Sequence, residues 1–128
     1  MKNVNLSSRE IGINNRTDNS LENSSYILFN ENGAFRRVDI NSKNFVIGRL
    51  FNSVDCLING NAVSKKHAKI VSKNNKKYLI DLSSSNGTFL NGFRIEAEKY
   101  YELKNNDKIT FANVEGIFKD NNMEYYSE

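Results

Sequence analysis

Little in this chain supports catalysis by the usual side chains. It has one cysteine and one histidine in 128 residues. A single cysteine, Cys56, excludes an internal disulfide framework, and a single histidine, His67, excludes a His-pair metal site. Cys56 lies in the apolar run Cys56-Leu57-Ile58 and reads as a small buried hydrophobe. No apolar run approaches the ~18 residues of a membrane span. The N-terminal stretch lacks a signal-peptide pattern, so the expected setting is cytoplasmic with no membrane partner. Proline is absent while Asn and Lys are abundant, a bias of composition without bearing on mechanism.

What is present suits one small domain. At 128 residues there is room for a single core, and eight Phe and six Tyr are enough to fill it. The net charge of +3 is compatible with anionic partners. It falls well short of a nucleic-acid-binding tail, and the lysines are scattered over many turns rather than drawn into a stripe.

Residues 1–25 are polar, with no helical or strand period, and read as a flexible tail. From Tyr26 the texture changes to short apolar runs separated by Asn- and Gly-rich turns. Tyr26–Phe29, Phe35–Ile40, Phe45–Ile47, Asp55–Ile58, Ala68–Val71, Lys77–Leu82, Thr88–Leu90, Phe93–Ile95, Tyr100–Leu103, Lys108–Ala112 and Val114–Phe118 are the expected strands. Tyr78, Ile80 and Leu82 are expected on one face of their strand, and Glu96–Lys99 could form a helical turn, too short to stand alone as a helix. Asn91-Gly92 is the strongest short hairpin signal. About ten or eleven short strands at this spacing predict an all-β antiparallel sandwich over residues 26–118, followed by a polar tail over 119–128.

The polar clusters gather between Gly48 and Gly92. Arg49 follows an apolar strand and a glycine, and its guanidinium is a planar fork matched to two phosphate oxygens. Ser64 offers a hydroxyl beside Lys65 and Lys66. Ser83-Ser84-Ser85-Asn86-Gly87 sets hydroxyls and an amide on a turn. His67 has no cysteine, second histidine or paired carboxylate near it in sequence. It reads as a buried imidazole that fixes the Ser64 loop through backbone bonds. No nucleophile–base pair, metal cluster or Gly-rich nucleotide loop is present, so neither an enzyme nor a cofactor is expected.

Gly48-Arg49, then Ser64-Lys65-Lys66-His67, then Asp81-Leu82-Ser83-Ser84-Ser85-Asn86-Gly87-Thr88-Phe89 and finally Asn91-Gly92 together resemble the forkhead-associated (FHA) family. The resemblance covers about Tyr26 to Phe118. It implies an eleven-strand sandwich whose loops at one end bind phosphothreonine in an extended peptide. Carried over by position, Arg49 and Ser64 would bind the phosphate, Lys65 would be a neighbouring contact, Ser85 would add a hydroxyl and Asn86 would hold the peptide main chain. Gly48, His67, Gly87, Asn91 and Gly92 would shape the loops. The implied partners are a phosphothreonine-containing protein and an upstream Ser/Thr kinase.

Some family members favour an acidic residue three positions after the phosphothreonine through a basic residue just before this serine. Here Ala62 and Val63 stand in those places. Phe51 and Val63 would instead suit an apolar ligand residue. Thr17, the only threonine outside the expected sandwich, is a possible phosphosite through which the tail could occupy the site itself, against the plainer reading of a spacer. The competing readings are a small basic nucleic-acid binder and a β-sandwich kept purely for structural assembly.

Overall fold

In the computed structural model, residues 24–121 are described, and Thr17 lies outside them. Residues Ser25–Lys119 form one compact unit. Ser24, Asp120 and Asn121 belong to a second, within which Asn121 Nδ2 donates to Ser24 Oγ at 3.0 Å.

Eleven strands are present among the described residues: β1 (Ser25–Glu31), β2 (Ala34–Asp39), β3 (Asn44–Gly48), β4 (Cys56–Leu57), β5 (Ala68–Lys73), β6 (Lys76–Asp81), β7 (Thr88–Leu90), β8 (Phe93–Arg94), β9 (Tyr101–Glu102), β10 (Lys108–Phe111) and β11 (Val114–Asp120). They make a six-stranded sheet in the order β2-β1-β11-β10-β7-β8 and a five-stranded sheet in the order β4-β3-β5-β6-β9. β1–β2, β10–β11, β7–β10, β7–β8, β3–β5, β5–β6 and β6–β9 pair antiparallel, and the two-residue β3–β4 contact is parallel. No helix among the described residues is long and apolar enough to cross a membrane.

The alternation in the strands creates the core. Ile27 and Phe29 of β1, Ile109 and Phe111 of β10, and Phe118 of β11 turn inward from one sheet. Phe45 and Ile47 of β3, Ile70 of β5 and Leu79 of β6 belong to the same buried cluster from the other sheet. Cys56 is buried in this core, and burial pushes its thiol up to about 11, so it is inert as a nucleophile near neutrality.

In β6 Leu79 joins the core opposite Ile70 and Ile80 is buried as well, whereas Tyr78 and Leu82, on the same face as Ile80, are only half-buried. The run Tyr78-Leu79-Ile80 is apolar throughout, so its phase is set by register with β5 and not by its own alternation. Glu96–Lys99 is no helical turn: Ala97 forms a parallel bridge with Asp81, and Glu98 adopts a φ of 65°.

Register also gathers the loops. Ile47 pairs with Ala68, and Ala68 with Asp81, so the ends of β3 and β6 and the start of β5 are level. In the other sheet Thr88 pairs with Phe111, which brings the start of β7 level with the β10–β11 turn.

Candidate functional site: a polar loop cluster at one end of the sandwich

Gly48 is the pivot of the first contact. A Cβ there would meet the Lys65 carbonyl oxygen at 2.1 Å, so only glycine lets β3 lie against the Ser64–Lys66 loop. The Arg49 backbone N–H then bridges the Ser64 and Lys65 carbonyls at 3.1 and 3.0 Å, and the Leu50 N–H joins the Lys65 carbonyl at 3.2 Å. The Arg49 side chain is anchored as well, Nε donating to the Val63 carbonyl at 2.8 Å. Its two terminal amino groups have no partner among the described residues.

His67 is fully buried and joins two loops. Its Nδ1 accepts from the Ser64 N–H at 3.0 Å, so Nε2 carries the proton and donates to the Gly87 carbonyl at 2.9 Å. Burial holds the imidazole below its ordinary pKa and keeps it neutral, the form this bonding requires. The ring also meets Phe111 edge-on at 6.0 Å, which ties the loops to the core. With both nitrogens committed to backbone, His67 offers no free base.

Asp81 is not among the residues expected to bind or shape the site, yet it organises the second loop. Its buried carboxylate accepts from the Ser84 N–H at 3.1 Å, the Ser84 hydroxyl at 2.6 Å and the Thr88 hydroxyl at 2.6 Å. Ser84 Oγ in turn accepts from the Gly87 N–H at 3.0 Å. The turn from Leu82 to Gly87 is therefore closed around one carboxylate. Gly87 has a φ of 91°, a conformation that favours glycine. Its carbonyl receives the Ala112 N–H at 2.9 Å in addition to His67.

The two loops meet directly. Ser64 Oγ accepts from the Ser85 N–H at 3.1 Å, and Asn86 Nδ2 donates to the Ala62 carbonyl at 2.8 Å. Arg49, Lys65, Ser85 and Asn86 are exposed, and Ser64 is half-buried. The structure thus brings Gly48, Arg49, Ser64, Lys65, His67, Ser85, Asn86 and Gly87 to one end of the sandwich.

Asn91 and Gly92 stand apart, in the β7–β8 turn at the far end of β7. Both have positive φ, 51° and 88°, as the tight hairpin requires. Asn91 is locked there by bonds from Nδ2 to Asp107 and from the Lys108 N–H to Oδ1, at 3.0 and 2.9 Å. They shape the hairpin and touch the loop cluster only through the strand between. Val63 is also displaced from its expected place: it is buried in the core at 1% exposure and cannot meet a ligand, whereas Phe51 is exposed.

The fold is thus a two-sheet sandwich with the Gly48–Lys66 and Asp81–Thr88 loops meeting at one end. The FHA domain model matches residues 45–112, more than half of the chain, and the chain belongs to the forkhead-associated family. It is 42% identical over 84 residues to a probable serine/threonine-protein kinase of Dictyostelium discoideum, covering 55% of this chain and 6% of that protein. It is 39% identical over 81 residues to Smad nuclear-interacting protein 1 of Mus musculus, covering 53% of this chain and 21% of that protein. The chain spans about a fifth or less of the length of these relatives. Among solved structures, Mycobacterium tuberculosis EmbR in complex with a low-affinity phosphopeptide superimposes with a TM-score of 0.68 at 28% identity, over 76% of this chain and 24% of that one.

Proposed function

We propose that the loop cluster binds a phosphothreonine-containing segment of a protein partner in Ser/Thr kinase signalling. The observation that carries this reading is the state of Arg49, whose Nε is fixed to the Val63 carbonyl while both terminal amino groups stay unpartnered among the described residues. A guanidinium held by one edge is an oriented fork for two phosphate oxygens. The Ser64 hydroxyl and the Lys65 ammonium supply the next donors, and Ser85 adds a hydroxyl. Asn86, steadied through Nδ2, keeps its carbonyl oxygen for a peptide N–H. Phosphorylation adds about −1.5 to −2 charge and three acceptor oxygens, so the unmodified threonine would leave Arg49 and Lys65 without a counter-charge.

Two relatives support the reading without fixing the ligand. EmbR is solved with a phosphopeptide, and the Dictyostelium relative is named as a probable serine/threonine kinase. A cytoplasmic setting, where such kinases act, belongs to the same proposal. The partner is either another protein or, after modification of Thr17, this chain's own tail.

Three or four charge-assisted bonds of about 1.5–3 kcal/mol, less the ordering of the peptide, give roughly micromolar affinity, about −8 kcal/mol. A degenerate phosphothreonine library read by calorimetry tests this. The native chain is expected to bind phosphorylated peptides and ignore their unmodified forms, and Arg49→Ala is expected to lose at least about 100-fold, or ~3 kcal/mol, at unchanged stability. Unchanged affinity in Arg49→Ala would remove Arg49 from the site. Binding to unphosphorylated oligonucleotides with a steep salt slope would replace the reading with a nucleic-acid one.

A further inference from the structure

Beside the loop cluster lies a cation that the phosphate contacts described above do not use. Where Gly87 carries only hydrogen, Arg94 takes the space: an added Cβ would lie 2.7 Å from Arg94 Nε, 2.9 Å from Cζ and 3.2 Å from Cδ. Arg94 stands on β8, the edge strand of its sheet, opposite Phe89 of β7. Its guanidinium therefore packs on the main chain of the β6–β7 loop at the residue immediately after Asn86.

Arg94 is also unlike the other described arginines. Arg36 is bonded to Glu31 and to the Leu57 carbonyl, Arg37 to Asp39, and Arg49 to the Val63 carbonyl. Arg94 is exposed and has no polar partner among the described residues. An apolar side chain could cover Gly87 as well, so packing alone does not call for a guanidinium. A planar cation that lies against backbone at Gly87 and is exposed and without a polar partner among the described residues is arranged to meet an anion. On the reading above, Arg49, Ser64 and Lys65 would hold the phosphate, and a peptide continuing past Asn86 would bring a neighbouring side chain over Gly87, beside Arg94.

We infer that Arg94 is a specificity residue that selects ligands carrying an anionic side chain, a carboxylate or a second phosphate, at the position passing over Gly87. It supplies from β8 the positive charge that Ala62 and Val63 do not supply from the β4–β5 loop. The inference rests on the phosphopeptide reading above.

The test uses fluorescent phosphothreonine peptides in which each flanking position is in turn Ala, Asp, Glu or phosphoserine. Anisotropy titrations compare the native chain with Arg94→Gln, Arg94→Lys and Arg94→Glu, each checked by thermal unfolding. The native chain is expected to show one position where an acidic residue tightens binding about 5–10-fold over Ala. The Asp, Glu and phosphoserine arms show which anion is preferred. Arg94→Gln is expected to flatten that preference while leaving the Ala-flanked peptide unchanged, Arg94→Lys to retain part of it, and Arg94→Glu to turn it against acidic residues. If the native chain binds phosphopeptides with no acidic preference, this inference falls and the phosphopeptide reading stands. Equal weakening of every peptide in Arg94→Gln would assign Arg94 to the phosphate or to loop shape and overturn it too. If no phosphopeptide binds the native chain, both fall together.

Discussion

Two layers of the same loop cluster obey opposite rules. Underneath, Asp81, Ser84, Thr88 and His67 are buried and bonded to one another or to backbone. On top, Arg49, Lys65, Ser85 and Asn86 are exposed, and Arg49 and Asn86 each spend one donor on a neighbouring carbonyl. The lower layer consumes its polar capacity in fixing the loops, and the upper layer is fixed while keeping capacity in hand. Donors held in place before a ligand arrives lose little freedom when it binds. The expected consequence is a division of labour, with stability below and affinity above.

The sharpest test of that division is a pair of substitutions. Asp81→Ala strands the Ser84 and Thr88 donors in a buried site, and chemical denaturation is expected to show a loss of about 3–4 kcal/mol. Asn86→Ala is expected to change stability by less than about 0.5 kcal/mol while weakening phosphopeptide binding about tenfold. Equal stability losses in the two variants would erase the distinction.

Gly48→Ala should break the division. Its Cβ would collide with the Lys65 carbonyl, so β3 and the Ser64 loop have to separate. Denaturation and calorimetry are expected to show a loss of about 1–3 kcal/mol in stability together with weakened binding.

The smallest effect comes from pH. The folded pKa of His67 is depressed below 6.5 by burial, so the unfolded chain takes up the proton first. The contribution of neutral His67 is present above pH 6.5 and is lost as pH falls toward the folded value. Its slope is at most one proton's worth, about 1.4 kcal/mol per pH unit. Denaturation across this range without peptide is expected to show the decline in the native chain and its absence in His67→Gln. An equal decline in both would assign it to other groups.

Much of the upper layer was legible in the sequence because spacing carries it. Arg49, Ser64 and Asn86 sit in short turns whose residue types and separations are distinctive, and register then places them together. The lower layer was harder to read. Asp81 ends a strand and looks like a solvated carboxylate, and its burial emerges only when Ser84 and Thr88 fold back onto it. Arg94 is separated from Gly87 in sequence by a hairpin, and only the β7–β8 pairing returns it. Val63 reads as a loop residue because what buries it is the core beneath the loop and not its own neighbours.

The Gly87 carbonyl, receiving His67 from the five-stranded side and Ala112 from the six-stranded side, has a kinetic consequence. One oxygen acts as a rivet between the sheets at the mouth of the site. If the loops part there, the Ala112 amide loses its acceptor and becomes open to solvent exchange, although that amide is part of no proposed ligand contact. Slower exchange there on ligand binding would report how far the ligand shifts that opening equilibrium.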